Sequence, residues 1–298
     1  MAMNENMLIN KEVVPQTPRK KIKHGFRVSV FEILGLLLVT VVAVLMLIPF
    51  VWIISASLKD STTFFNPDWF SRPFHWENYS QVLTRLNFGL YFFNTVKITV
   101  LSSLGSLLSC SLTAFALTRL KFPGRDMLFS FILVSIFVPT QVTMIPTFII
   151  FKNLGMYNSH LPLIVPAFFG NAFGIFLLRQ HFMTIPEELS EAAKVDGCGP
   201  FRLFYQIYLP LAKPVLITLA VLTFQSTWGD IMGPLIYLTD KSLYTMVLGL
   251  RLIASSQFLP QPQLEVTGDL LLILPVLIIF IFAQRYFTQG IQTTGIKG

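Results

Sequence analysis

The chain has 298 residues, of which 53% are hydrophobic and only 12% charged. Soluble domains carry about 25% charge, so this composition excludes an ordinary water-soluble enzyme and indicates an all-α protein embedded in a membrane. The formal net charge of +7 then reads as basic residues collected on cytoplasmic loops, and nucleic acid is not expected as a partner.

Residues 1–27 are polar and contain proline, with Arg19, Lys20, Lys21, Lys23 and Arg27 crowding the end. They read as a cytoplasmic tail ahead of an uncleaved signal anchor, because the apolar run that follows is too long for a signal peptide. One transmembrane domain is expected over 28–298. Its first span, 31–54, ends in Pro49, Phe50 and Trp52, suited to an interfacial aromatic belt. Residues 55–88 carry Pro67, Trp69, Pro73 and Trp76 and read as an external loop with a short interfacial helix. The second span, 91–117, is rich in small residues such as Ser102, Gly105, Ser106 and Ala114, which let helices approach closely in lipid. A basic turn through Arg119, Lys121 and Arg125 follows.

The third span, 127–151, holds Pro139 and Pro146 with Gln141 and Thr143 between them, and a kinked helix is expected. The fourth, 161–178, ends at Arg179 and leads into a long polar loop, 181–213. The fifth, 214–238, and the sixth, 270–287, enclose an external segment, 239–267. Basic residues favour the inside over the outside by roughly two to one, so both termini are expected in the cytoplasm.

The loop 181–213 carries the most information. Thr184 and Glu187 have the spacing of a capping box, Pro186 suits a first turn, and Glu187, Glu188 and Glu191 favour the positive end of a helix dipole. Asp196-Gly197 is a stop signal. A second helix from Gly199-Pro200 is expected to present Phe201, Phe204, Tyr205 and Tyr208 as one aromatic face. Two readings fit: a structural amphipathic loop, or a docking helix on which Ala192 and Ala193 allow close approach to a partner.

No catalytic constellation, metal-ligand spacing or disulfide framework is present. Cys110 and Cys198 stand apart, and His24, His75, His160 and His181 are scattered. The glycine-bearing end Gly290–Gly298 lacks the strand, helix and Lys-Ser/Thr order of a P-loop, so no ATP-binding domain is expected in this chain. Gln225, Thr227, Trp228 and Asp230 place amide, hydroxyl, aromatic and carboxylate groups inside an apolar span. Asn94, Gln141 and Asn171 are further polar candidates. Such groups line a pathway or bond helix to helix.

The run Glu191-Ala192-Ala193, three residues, Gly197, nine residues, Ile207, one residue and Leu209-Pro210 resembles, position by position, the EAA motif of ABC importer permeases. Ala114–Arg125, Phe176–Gln180 and Gln284–Gly290 are similar to segments of the maltose-type, carbohydrate-uptake branch of type I importers. That resemblance implies a six-helix transmembrane domain in the bacterial inner membrane. It implies a coupling helix in which Glu187, Glu188, Glu191, Ala192, Ala193, Asp196 and Gly197, with Ile207, Leu209 and Pro210, serve contact with an ATPase. The implied partners are a second permease, two ATPase subunits that bind ATP and magnesium, an extracytoplasmic binding protein and a sugar. Another solute (a glycerol phosphodiester, an acidic saccharide or a polyamine) is the alternative cargo, and an ion-driven secondary transporter with Asp230 as its carboxylate is the alternative class.

Overall fold

A computed structural model describes residues 30–85, 87–254 and 261–295, with side chains for all of these except 253–254 and 285–295. The expected tail 1–27 and the end Gly295–Gly298 therefore fall wholly or largely outside the described residues. The described residues contain helices and no strand: α1 Val30–Ser57, α2 Glu77–Arg85, α3 Phe88–Arg119, α4 Arg125–Ser135, α5 Thr140–Asn153, α6 Leu161–Ile164, α7 Ala172–Thr184, α8 Glu187–Val195, α9 Pro200–Leu203, α10 Leu209–Leu211, α11 Lys213–Trp228, α12 Met232–Tyr237, α13 Met246–Ala254 and α14 Pro262–Gly295. Four stretches are long and apolar enough to cross a membrane: Val30–Ser57, Phe88–Arg119, Leu161–Thr184 and Pro262–Gln284. Two bent pairs bring the total to six if each counts as one span.

The breaks depart from the expected spans, and each has a local cause. The third expected span is not one kinked helix. α4 and α5 meet at 104°, because Pro139 is extended (ψ 133°) and begins α5 from outside it. Its missing N–H and its steric restriction on Val138 end the preceding helix. The fourth span continues to Thr184, past the expected 178, and is broken where Gly170 takes a φ of +78°. The fifth stops at Trp228, and Gly229–Ile231 separate it from α12. At 16 residues, α11 is about 24 Å long, short of the ~30 Å hydrocarbon core. The π-turn and short helices of Pro200–Leu211 precede it at 79°. The sixth helix starts at Pro262, so residues 262–267, expected outside, form its first turns.

α3 is the axis on which α7, α11, α6, α13 and a 3-10 turn, Val165–Phe169, pack. Its small residues sit where those neighbours touch it. Ser102, Gly105, Ser106, Cys110, Ser111 and Ala114 are buried. Ser102 and Ser109 donate to the carbonyls of Leu163 and Ala167 at 3.1 and 3.0 Å. These bonds satisfy backbone acceptors freed where α6 gives way to the 3-10 turn. Two apolar clusters result. One surrounds Phe115, Phe182, Leu203 and Tyr208 beside the 181–213 loop. The other surrounds Trp228, Met246, Leu250 and Leu264 at the opposite end of α3. Elsewhere large apolar side chains face outward, such as Ile145 on α5 and Phe282 on α14, as a lipid-facing surface requires.

A methyl group on Gly105 would fall 2.6–2.9 Å from the Phe168 ring. We expect Gly105→Ala to lower the thermal unfolding midpoint in detergent. Overpacking costs about 1–3 kcal/mol, against a helix-propensity gain of at most about 1 kcal/mol. An unchanged or raised midpoint would show that Phe168 swings clear.

Candidate functional site

The loop between α7 and α11 is built on Arg119, at the end of α3. Its guanidinium donates to the carbonyls of Phe182 at 2.9 Å and Ile185 at 2.5 Å. A cation there satisfies the last carbonyls of α7 and suits its negative dipole end. The same guanidinium lies 5.2 Å from the centroid of the Tyr208 ring. Tyr208 is fully buried, meets Phe115 and Phe182 edge-on at 5.1 and 5.4 Å, and shares a 2.6 Å hydrogen bond with the hydroxyl of Ser190 on α8. Helix α8 is thus joined through one phenol to α3, to α7 and to the π-turn Phe204–Tyr208.

The capping box does not form. Thr184 bonds back to the carbonyl of His181, since α7 runs through it, and Pro186 precedes α8 without a side-chain cap. The C-terminal stop does form. Gly197 has φ +77°, and the N–H groups of Cys198 and Gly197 bond to Ala193 and Lys194 at 2.9 and 3.0 Å, the Schellman pattern. Nothing lies within 4 Å of a Cβ at Gly197. Its glycine is therefore required by backbone conformation and not by crowding.

Within the EAA run, Glu191 and Ala192 are exposed, as are Glu187, Glu188, Asp196 and Gly197. Ala193 turns inward, so its smallness serves packing on the chain's own core. The outward face adds two apolar groups, Leu189 and Val195, the latter 88% exposed. Ile207 and Leu209 are half-buried against the loop-side cluster, and Pro210 is exposed. The expected single aromatic face splits: Phe204 and Tyr208 enter the core, whereas Phe201 and Tyr205 face out.

The seven polar path candidates also separate. Thr227 and Asp230 line a cavity of about 480 Å³ with Thr95, Thr140, Ser226 and Thr245. Gln141 and Gln225 are exposed. The other three are engaged in holding the fold. Trp228 is buried, stacks on Phe224 and donates to the carbonyl of Leu272 at 3.1 Å. Asn94 donates to the carbonyls of Ser242 and Tyr244. Asn171 caps α7 by accepting from the N–H of Gly174 at 2.7 Å, and its amide donates to Ser106. Among the described residues no cluster of three or more potential metal ligands occurs.

Residues 105–293 match the family described as binding-protein-dependent transport system inner membrane component. The chain belongs to this family. It is a membrane permease subunit of an ABC transporter, with several helices apolar enough to cross a membrane. The permease is 33% identical over 250 residues to the sn-glycerol-3-phosphate transport system permease protein UgpE of Yersinia enterocolitica, covering 81% of this chain and 89% of that one. It is 29% identical over 282 residues to the arabinooligosaccharides transport system permease protein AraQ of Bacillus subtilis, covering 93% and 100%. A solved bacterial ABC transporter that imports the acidic polysaccharide alginate contains a chain that aligns with a TM-score of 0.74 at 25% identity, over 86% of the permease and 96% of that chain.

Three residues that organise the permease's loop escaped the sequence reading of the site: Ser190, Tyr208 and, as a clamp, Arg119. Tyr208 was visible only as one aromatic among four. The i, i+4 pairing of Phe204 with Tyr208 against Phe201 with Tyr205 was the available signal. We expect Tyr208→Phe and Ser190→Ala each to cost about 1–3 kcal/mol, because each leaves a buried hydroxyl without its partner. The double variant should lose less than the sum. Thermal unfolding of the three variants checks this, and strict additivity would mean that the hydrogen bond contributes nothing.

Proposed function

We propose that the permease is one half of a heterodimeric core that imports a carbohydrate across the bacterial inner membrane, with both termini on the cytoplasmic side. A separate pair of ATPase subunits would bind ATP and magnesium and would seat α8. An extracytoplasmic binding protein would deliver the sugar on the opposite side.

The observation that carries this reading is the surface of α8. It presents carboxylates at Glu187, Glu188 and Glu191 around exposed Leu189, Ala192 and Val195, while its inner side is locked by Ser190 and Ala193. An exposed amphipathic helix of this kind suits a groove with a basic rim. Carbohydrate cargo is supported by kinship with an arabinooligosaccharide permease and with a polysaccharide importer. A glycerol phosphate cargo is the second reading, favoured by kinship with UgpE.

Affinity purification of the tagged permease from gently solubilised membranes tests the assembly. Recovery of an ATPase and a second permease, with ATP-dependent sugar uptake after reconstitution with the binding protein, is the expected result. Purification of the chain alone, with uptake driven by an ion gradient and no ATP, would contradict it. Gly197→Val should lower uptake per ATP hydrolysed several-fold, because a β-branched residue at φ +77° costs about 1–3 kcal/mol of backbone strain and loosens the end of α8. Gly197→Asn should retain more coupling, since asparagine tolerates that conformation. Equal coupling in wild type and Gly197→Val would show that the turn is not part of the contact.

A further inference from the structure

The cavity that holds Thr227 and Asp230 has a definite chemical character. Its volume of about 480 Å³ lies within the ~300–1,000 Å³ of small-ligand sites. Hydroxyls of Thr95, Thr140, Ser226, Thr227 and Thr245 and the carboxyl of Asp230 line it, with Ile98, Leu163, Pro166 and Pro234 supplying apolar wall. No Lys, Arg or His is among these lining residues.

The polar groups are not all engaged within the chain. Thr95 donates to the carbonyl of Tyr91 and accepts from Met246 N–H, and Ser226 donates to the carbonyl of Thr223. Asp230 uses Oδ1 to accept from the N–H of Gly233 at 3.2 Å, which closes the break between α11 and α12. The backbone N–H of Met232 also bonds to this carboxylate, no side chain donates to it among the described residues, and the Thr227 hydroxyl has no partner of its own there. Gly233 makes the arrangement possible: a Cβ there would fall 2.5 Å from Asp230 Oδ2 and 2.7 Å from Leu163. The missing side chain keeps the carboxylate in place and the cavity open.

We infer that this cavity is a cargo-contact site selective for neutral, hydroxyl-rich ligands over anionic ones, an inference that rests on the importer reading above. A sugar hydroxyl can donate to a carboxylate and exchange hydrogen bonds with threonine hydroxyls, while its ring C–H face packs on Ile98, Leu163 and the prolines. A uronate or a phosphate would set a second negative charge beside Asp230 with no cation in the lining to offset it, and like charges juxtaposed in a desolvated site are strongly disfavoured. This separates the chain's cargo from glycerol phosphate and from acidic polysaccharide, although relatives carry both kinds.

The test uses the complete importer in nanodiscs and two radiolabelled probes of matched length, a neutral arabinotriose and a trimeric uronate. Wild type should retain the neutral probe at least ~10-fold more strongly. Asp230→Asn should narrow that ratio by raising uronate retention, and Thr227→Val should weaken the neutral probe. The asparagine is informative because its oxygen can still accept from Gly233, so a purely helix-closing role would leave the ratio untouched. Equal retention of the two probes, retention of neither, or an unchanged ratio in Asp230→Asn would overturn the inference. ATP-driven sugar uptake by the same wild-type complex with its binding protein is scored alongside. Its absence would sink the importer reading, whereas normal uptake with an unchanged ratio would sink only the charge selection.

Discussion

One buried phenol sits where the contacts that bind the loop between α7 and α11 to the rest of the permease converge. Tyr208 bonds to Ser190 of α8, packs on Phe115 of α3 and Phe182 of α7, and lies under the Arg119 guanidinium that grips the end of α7. Each contact is modest alone, about 1 kcal/mol for a net hydrogen bond and about 0.5–1.5 kcal/mol for an aromatic pair. Their value lies in geometry. They converge on one fully buried ring that touches α3, α7 and α8 together. The Schellman turn at Gly197 fixes where α8 ends and the π-turn begins.

The same economy governs the opposite end of α3. Asn94 and Thr95 bond to the backbone of 242–246, and Trp228 to the carbonyl of Leu272. Polar side chains in a lipid-facing bundle are candidates for cargo contact, yet four of the seven, Asn94, Asn171, Trp228 and Asp230, bond to backbone groups of the fold. The remainder are two exposed amides and Thr227, which lines the interior cavity together with Asp230. A break in a spanning helix frees backbone groups, and nearby polar side chains satisfy them first.

The number of apolar stretches, the small-residue character of α3 and the EAA loop were legible in the sequence because each rests on composition or on a fixed spacing. The interruptions were less so. The sequence pattern around Pro139 predicts a kink within one helix, but a proline that also restrains its predecessor can separate two helices at 104°. The capping box at Thr184 and Glu187 had the right spacing and failed because α7 extends through Thr184. The inward turn of Ala193 and the convergence on Tyr208 depend on how α8 and the π-turn pack against the core formed by the ends of α3 and α7, which no local pattern encodes.

If the loop is a rigid lever, its distance from the end of α3 should not change during the transport cycle. Spin labels at Val195 on α8 and at Phe122, just after α3, in a Cys198→Ala background of the assembled importer, measure that distance directly. A single narrow distribution, the same with and without ATP, is what the Tyr208 linkage predicts. A distribution that shifts or broadens when ATP is added would mean that α8 moves independently of α3, and the linkage would not be the path by which the loop acts on the bundle.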